Sequence, residues 1–274
     1  MLRLLVIGPV VLFGGLSGAV YFQNRLFYNN WGPQPTFIWK SKVETEEVFF
    51  ETSDGETLRG YWCDSAALDD WKLPEKPVVL FCHGNSCTID QWSWVIDRWT
   101  RMIGADVLIF DYRGYGRSTG TPTEEGLYID ARAAYDWLVE EKKVDPKRIL
   151  LVGQSLGGGV AMQLAGQVEH RMLILESTFT CMCDVVDNVF FGVPMGYFCH
   201  QKYPNLDRLR DYKKPVFISH GEGDNLIPYW HSERLFEAAG GPKALWRCQR
   251  MAHNDRRSQK VYTTLIREFL EKYW

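Results

Sequence analysis

The sequence has no tract of basic residues. Its 31 Lys and Arg are scattered among 34 Asp and Glu, and the formal net charge is −3. Proteins that grip nucleic acid through its phosphates need clustered basic side chains, so we expect no nucleic-acid partner. The 46% apolar and 24% charged shares are those of an ordinary globular protein, and 274 residues suffice for one large α/β domain with a sizeable core.

The sequence also has no disulfide framework, metal-ligand spacing or dinucleotide fingerprint. Seven cysteines are an odd number in a chain of this size, and we expect most of them to be reduced, although Cys181 or Cys183 could pair with Cys199. Cys181 and Cys183 are accompanied by no second pair and no His-x₃-His, as a zinc site would require. The spacing from Gly153 to Gly158 is wrong for binding a dinucleotide. The sequence therefore predicts neither a metal nor a cofactor.

Charge is missing from the stretch Leu4–Asn24, which lies between Arg3 and Arg25. About 20 apolar residues are needed to cross a bilayer, and aromatic residues follow the stretch, as at a membrane interface. We predict a membrane anchor at 1–28 and a single N-terminal span. A cleaved signal, with cleavage near Ser17-Gly18-Ala19 and a secreted or periplasmic product, is the alternative. A buried helix is disfavoured by the proline and glycines of the stretch. The side of the membrane that the domain faces stays open.

The remaining chain predicts a linker at 29–42 and one α/β domain at 43–274. Two alternating runs joined by Ser53-Asp54-Gly55 predict an antiparallel hairpin. From Pro77 onward, short apolar runs alternate with helical patterns, which is typical of a mostly parallel sheet with helices on both faces. The predicted strands begin at Val78, Val107, Ile149, Met172, Val216 and Ala244, and the predicted helices span 89–102, 123–142, 232–239 and 259–273.

The most informative stretch is Gly-x-Ser-x-Gly at 153–157. It follows the apolar run Ile149–Val152 and precedes a helical pattern, so it sits in the strand–turn–helix context of a nucleophile elbow. A side chain at Gly153 or Gly157 would collide across such a tight turn. The pattern predicts that Ser155 is held above the sheet as a nucleophile.

A serine hydroxyl needs a base, which in turn needs an orienting acid. Ligands of parallel sheets bind beyond the carboxyl ends of the strands, and the loops at those ends supply Asp224 and His253 in the order Ser…Asp…His. Glu176 and Glu222 are the alternative acids, and Asp224 could instead only cap its turn. We expect Ser155, Asp224 and His253 to form the catalytic triad.

An oxyanion needs two N–H donors. The backbone N–H of Leu156, at the start of the helix after the nucleophile, is one expected donor. The loop after the Val78 strand should supply the other, and we assign it to Asn85. His83 is expected to hold that loop in place.

The stretches His83-Gly84-Asn85, 111–118 and 153–158, with Asp224 and His253, resemble the α/β-hydrolase superfamily. More narrowly, residues 43–274 and the apolar N-terminus resemble its small membrane-tethered, Bem-type branch of abhydrolase-domain proteins, often labelled serine-aminopeptidase-like. The resemblance implies an α/β-hydrolase fold and hydrolysis of esters, thioesters or amides without cofactor or metal.

The apolar segment at 179–204 lies where such folds insert a lid, and it is equally compatible with a helix packed on the core. Beside a membrane anchor it favours a lipophilic acyl substrate, either a small molecule or a lipidated protein. We therefore expect a serine hydrolase of carboxylic esters or thioesters. An amidase or peptidase, or a non-catalytic ligand- or partner-binding protein of the same fold, stays open, as does the oligomeric state.

Overall fold

The sheet is the central feature of the fold. The computed structural model describes residues 27–28, 40–66, 68–190, 194–253, 255 and 259–274. Within them the chain forms one sheet of eight strands. In chain order the strands are β1 (Glu46–Glu51), β2 (Thr57–Cys63), β3 (Val78–Cys82), β4 (Asp106–Phe110), β5 (Ile149–Gln154), β6 (Met172–Glu176), β7 (Val216–Gly221) and β8 (Lys243–Cys248).

The strand order across the sheet is β1-β2-β4-β3-β5-β6-β7-β8. The hairpin strands β1 and β2 are antiparallel to each other, and β2 is antiparallel to β4. All the other neighbouring strands are parallel. The predicted mostly parallel sheet with an antiparallel opening hairpin is therefore confirmed. Because β3 to β8 are parallel, their carboxyl ends lie at one edge of the sheet.

Helices connect the strands. In the described residues they are α1 (Ile89–Trp92), α2 (Trp94–Ile103), α3 (Glu124–Glu140), α4 (Leu156–Ala165), α5 (Met182–Val189), α6 (Asn205–Asp211), α7 (Trp230–Ala238) and α8 (Gln259–Tyr273). Two short 3₁₀ helices, Pro146–Arg148 and Met195–Phe198, complete the set. Thr123 caps α3 by accepting a hydrogen bond from the Gly126 N–H, as serine and threonine commonly do.

The prediction of one continuous helix at 89–102 is wrong, because the structure divides this segment at Ser93 into α1 and α2. The Ser93 hydroxyl bonds to the Asp90 carbonyl at 3.3 Å, and the Ile96 N–H bonds to the Ser93 carbonyl only three residues back. Both contacts compete with the regular helical pattern. The sequence patterns also did not predict α6, which follows Pro204.

Both faces of the sheet are covered by packed side chains. All five residues of β3 are buried, and they alternate between two hydrophobic clusters. One cluster includes α3 and α4, and the other includes α2 and α8. Successive side chains of a strand point to opposite faces, which explains why β3 reads as a continuous apolar run rather than an alternating one.

The predicted anchor and linker lie mostly outside the described residues. In the part of the chain that the structure describes, no helix combines the length and apolar character needed to cross a bilayer. Phe27 and Tyr28 are described, and both pack on the domain. The buried Tyr28 hydroxyl lies 2.8 Å from the Tyr203 hydroxyl and donates to Gln201 Oε1 at 3.1 Å. The chain just after the uncharged stretch is therefore fastened to the folded domain.

Candidate active site

Ser155 occupies a strained turn between β5 and α4. Its backbone has φ 54° and ψ −118°, a region that residues with a Cβ rarely adopt and that marks functional sites. Hydrogen bonds hold it there: the Ser155 N–H donates to the Glu176 carbonyl at 2.9 Å, and Thr178 Oγ1 donates to the Ser155 carbonyl at 2.8 Å. Contacts with the last residue of β6 and with the loop after it thus impose a conformation that the serine would not adopt alone.

The flanking glycines are required by close backbone approaches. A Cβ on Gly153 would lie 2.3 Å from the Gly157 carbonyl oxygen, and a Cβ on Gly157 would lie 2.0 Å from the Cys82 carbonyl oxygen. Neither atom can move without displacing the main chain. The collision expected from the sequence is therefore present, and it involves β3 as well as the turn itself.

The structure brings Ser155, His253 and Asp224 together from three distant parts of the chain. His253 Nε2 lies 3.1 Å from Ser155 Oγ, and His253 Nδ1 lies 2.6 Å from Asp224 Oδ2. Both distances are within hydrogen-bond range. An imidazole in this arrangement can take a proton from the serine while the carboxylate orients the ring.

The two oxygens of Asp224 have separate partners. Oδ1 accepts from the N–H groups of Leu226 and Ile227, at 3.0 and 2.8 Å, so Asp224 does cap its turn. Oδ2 faces His253 and also lies 3.2 Å from Nε2 of the buried His220. Burial by itself would raise the pKa of Asp224, but hydrogen bonds from His220 and His253 outweigh it and hold that pKa below its usual value. The carboxylate is therefore charged at neutral pH.

The alternative acids are occupied elsewhere. Glu176 is fully buried and contacts Arg98 at 3.1 Å, and it accepts a hydrogen bond from the Tyr262 hydroxyl. Glu222 forms an ion pair with Arg247. Each of these carboxylates therefore forms an ion pair with an arginine. This geometry disfavours Glu176 and Glu222 as the acid that orients His253.

His83 and His231 are buried and lie outside the serine–histidine pair. His83 Nδ1 is 2.7 Å from the Gly84 carbonyl, and its ring packs against Tyr112 with centroids 4.4 Å apart. Burial lowers the pKa of both histidines to about 4, so both are neutral at physiological pH. This agrees with the expected supporting role of His83.

The sequence reasoning placed His220 at the carboxyl edge of the sheet but gave it no role. It lies near the end of β7, four residues before Asp224, and its Nδ1 lies 2.5 Å from Ser232 Oγ while its Nε2 lies 2.7 Å from the Ile227 carbonyl. Its position at the carboxyl end of a sheet strand was the available signal. Its contact with the Asp224 carboxylate depends on how the loop after β7 folds back.

The stretch 111–118, which follows β4, contacts the segment after β3 that carries Asn85. Asp111 is buried, its Oδ1 accepts from the Ile89 N–H at 2.8 Å, and burial raises its pKa to about 7. Arg113 pairs with Asp130 at 2.8 Å. The hydroxyl of Tyr115 donates to Asn85 Oδ1 at 2.8 Å and also lies 3.1 Å from the main-chain oxygen of Asn85. The contacts of Asp111 and Tyr115 fasten the segment after β3, which carries Asn85.

The residues assigned to the oxyanion site lie beside Ser155. Leu156 is the first residue of α4, and the first N–H groups of a helix have no intrahelical acceptor. Asn85 lines the same cavity as Ser155 and Leu156. The Asn85 side-chain amide also donates to the main-chain carbonyl of Phe27. The N-terminal segment is thus tied directly to the loop that carries Asn85.

A cavity of about 310 Å³ opens at Ser155. Apart from Ser155 and Asn85, its lining is apolar and comes mainly from α5 and the loop after β7: Phe27, Leu156, Phe179, Met182, Val185, Val186, Val189, Phe190, Leu226 and Ile227. The residues of the predicted lid segment 179–204 that line this cavity lie mainly on α5, so this helix forms one wall of the cavity. A larger cleft of about 590 Å³ between β1 and α3 has a mixed lining of charged, polar and apolar residues that does not include Ser155. Among the described residues, no three His, Cys, Asp or Glu side chains are grouped to hold a metal ion.

Comparison with known proteins agrees with this fold. Residues 77–188 match the family model for the alpha/beta hydrolase fold. The chain is 35% identical over 273 residues to an uncharacterized protein of Mycobacterium tuberculosis, covering 96% of this chain and 94% of that protein. It is 33% identical over 267 residues to protein bem46 of Schizosaccharomyces pombe, covering 92% of this chain and 87% of that protein. The chain belongs to the α/β-hydrolase superfamily and resembles its Bem-type members.

A solved structure shows the same architecture for this α/β-hydrolase. An esterase of Pyrococcus furiosus superposes with a TM-score of 0.71, at 22% sequence identity, over 88% of this chain and 98% of that one. At this identity the likeness concerns the fold. The family resemblance expected from the sequence is confirmed.

Proposed function

We propose that this α/β-hydrolase is a serine hydrolase that cleaves carboxylic esters or thioesters of lipophilic acyl groups through an acyl-enzyme. The observation that carries the proposal is the relay of contacts from Asp224 Oδ2 to His253 and from His253 Nε2 to Ser155 Oγ, at 2.6 and 3.1 Å. This relay opens onto an apolar cavity rather than a charged one.

In the first half-reaction, His253 Nε2 takes the proton of Ser155 Oγ while that oxygen bonds to the substrate carbonyl carbon. The N–H groups of Leu156 and Asn85 stabilise the negative charge that develops on the carbonyl oxygen. The protonated His253 then gives its proton to the leaving alcohol or thiol. The acyl group stays on Ser155 as an ester.

In the second half-reaction, a water molecule gives a proton to His253 and attacks the acyl carbon. The carboxylic acid leaves, and the proton returns to Ser155. Asp224 remains charged throughout and stabilises the imidazolium form of His253. Its lowered pKa supports this role, because a protonated and therefore neutral Asp224 would not stabilise the positive charge of the imidazolium.

The acyl preference follows from the cavity. A volume of about 310 Å³ is at the small end of ligand sites, and its walls offer few groups that could pair with a charged or sugar-like substrate. Burying an acyl chain against α5 is favourable in proportion to the apolar area removed from water. We therefore expect esters with an aliphatic acyl chain to be turned over faster than acetyl esters.

Labelling with a fluorophosphonate probe tests the nucleophile. The wild type should be labelled on Ser155, Ser155→Ala should not be labelled at all, and His253→Ala should be labelled about 10²–10⁴-fold more slowly. The exposed Ser53 and His200 supply matched controls, since Ser53→Ala and His200→Ala should label like the wild type. Labelling that persists in Ser155→Ala would sink the assignment. Folded wild type without any labelling would favour a ligand-binding protein.

We also propose that residues 1–28 anchor the protein to a membrane through Leu4–Asn24. The support is the uncharged character of this stretch in the sequence. Alkaline carbonate extraction of membranes from expressing cells, combined with amino-terminal sequencing, is the test. Retention in the pellet with an intact N-terminus is expected. A mature N-terminus near Val20 in the soluble fraction would instead establish a cleaved signal.

A further inference from the structure

Exposed apolar side chains are concentrated around the mouth of the cavity. Among the described residues, eight large apolar side chains are exposed. Two of them, Phe49 and Val261, lie elsewhere on the surface. The other six form what we call the apolar rim: Val189, Phe190, Met195, Tyr197, Phe198 and Leu226. Tyr197 is 84% exposed and Phe198 is 62% exposed, which is unusual for aromatic residues of a soluble surface. Contiguous exposed apolar patches mark interaction sites.

The apolar rim is one surface. The 3₁₀ helix that carries Tyr197 and Phe198 packs on α5, because the Gly196 N–H donates to Asp187 Oδ1 at 2.6 Å. The amide of Asn188 on α5 lies 3.4 Å from the carbonyls of Asn225 and Leu226. These contacts connect the two segments of the rim across the cavity mouth.

The apolar rim leads into the catalytic cavity. Val189, Phe190 and Leu226 belong to the rim and also line the cavity that contains Ser155. Tyr197 and Phe198 are not among the lining residues, so they extend the apolar surface outward. The sequence carries no Asp, Glu, Lys or Arg from 188 to 201. Surfaces that face only water usually mix charges of both signs.

The N-terminal chain reaches the domain at this same cavity. Phe27 lines it, and the main-chain carbonyl of Phe27 accepts a hydrogen bond from Asn85. The uncharged stretch of the sequence ends at Asn24, three positions earlier. Three residues of chain reach at most about 10 Å. A bilayer that holds the uncharged stretch therefore has its surface next to the cavity mouth.

From these observations we propose that the apolar rim docks onto a lipid bilayer and that the acyl substrate enters the cavity from the membrane. The exposed aromatic and aliphatic side chains, the missing charge and the nearby uncharged stretch all match a lipid surface. Docking places the mouth of the Ser155 cavity against the acyl chains of the bilayer lipids. A lipophilic substrate can then enter the cavity without passing through water. The docking part rests on the membrane anchor proposed above, and the entry part rests in addition on the hydrolase activity proposed above.

Photo-crosslinking of the full-length protein in phosphatidylcholine vesicles tests docking without using activity. p-Benzoylphenylalanine in place of Phe198 should form lipid adducts about tenfold more often than the same residue in place of Phe49, a control on edge strand β1. Adducts are identified by mass spectrometry. Equal lipid labelling at both positions, or crosslinks from 198 to a second copy or to another segment of the chain, would overturn the proposal.

Kinetics test substrate entry. The double variant Tyr197→Ser, Phe198→Ser should hydrolyse a long-chain ester embedded in vesicles about tenfold more slowly than the wild type, while a water-soluble butyryl ester changes less than about twofold. Phe49→Ser is the matched control and should leave both rates unchanged. An equal fall with both esters, or no fall with either, contradicts entry from the membrane. A wild type that hydrolyses neither ester refutes the proposed function and not the docking, which the crosslinks decide.

Discussion

The Tyr115 hydroxyl lies 2.8 Å from Asn85 Oδ1 and 3.1 Å from the Asn85 main-chain oxygen. The Asn85 side-chain amide, at its other end, donates to the Phe27 carbonyl. Asn85 is therefore held between a buried tyrosine of the domain and the N-terminal segment. An N–H group that stabilises a developing charge works best when it is positioned before the reaction, and these contacts provide such positioning.

We expect Tyr115→Phe to lower kcat about tenfold with little change in KM, because the Asn85 loop loses its support and one donor is worth about 10²–10³-fold at most. The free energy of unfolding should fall by about 1 kcal/mol, as for one lost hydrogen bond. Steady-state kinetics with a chromogenic ester and chemical denaturation measure the two effects.

The matched control is Tyr135→Phe, since Tyr135 donates to the Glu169 carbonyl at 2.6 Å and does not line the cavity. It should lose similar stability and keep its kcat. If both variants lose kcat equally, Tyr115 has no positioning role.

His220→Leu should move the acidic limb of the kcat/KM profile to higher pH. The hydrogen bond from His220 lowers the pKa of Asp224, so removing it raises that pKa. Since Asp224 must be charged to stabilise the imidazolium form of His253, the variant should lose activity at a pH where the wild type is still active. A carboxylate whose pKa is lowered by folding stabilises the folded protein. This stabilisation is fully present above the pKa of the unfolded state, about 4 for Asp, and it is lost as the pH falls through the folded-state pKa. Because His220→Leu raises the folded-state pKa of Asp224, its free energy of unfolding at neutral pH should also be lower than that of the wild type.

His231→Leu is the control for that experiment. His231 is a buried histidine whose Nδ1 bonds to Thr180 Oγ1 at 2.8 Å and not to the Asp224 carboxylate. We expect lower stability with an unmoved acidic limb. An unmoved limb in His220→Leu would show that His220 does not tune the carboxylate.

Gly157→Ala should prevent assembly of the site. The added Cβ would lie 2.0 Å from the Cys82 carbonyl oxygen, which pushes α4 away from β3. We expect a loss of about 3 kcal/mol or more in the free energy of unfolding and no fluorophosphonate labelling. Gly166→Ala serves for comparison, because its nearest atom is the Gln163 carbonyl oxygen at 3.5 Å, and it should change stability by less than about 1 kcal/mol. Equal stability of the two variants would contradict the steric argument.

Local patterns in the sequence determined much of the fold. Turn residues and alternation predicted the opening hairpin, and continuous apolar runs predicted strands covered on both faces. The glycines at 153 and 157 predicted the elbow, because only glycine permits such close backbone approach. Since parallel strands end at one edge of the sheet, the order of the loops was enough to propose Ser155, Asp224 and His253 as neighbours.

Other features were decided by contacts between residues far apart in the chain. The sequence favoured Asp224 and left Glu176 open as an alternative acid. In the folded protein the Glu176 carboxylate is instead occupied by Arg98 and Tyr262. Sequence periodicity reports which face of an element is apolar, and it contains no information about which side chains meet across a loop.

By itself, then, the sequence determined the strand–turn–helix elbow, the parallel sheet and the types of residue at the sheet edge, since these depend on local sterics and patterning. Only the tertiary structure decided that His220 also contacts Asp224, that Tyr115 and Phe27 hold Asn85, and that α5 forms a cavity wall beneath an exposed apolar rim. Each of these depends on where loops fold back against the sheet, and that is settled by the packing of the whole domain.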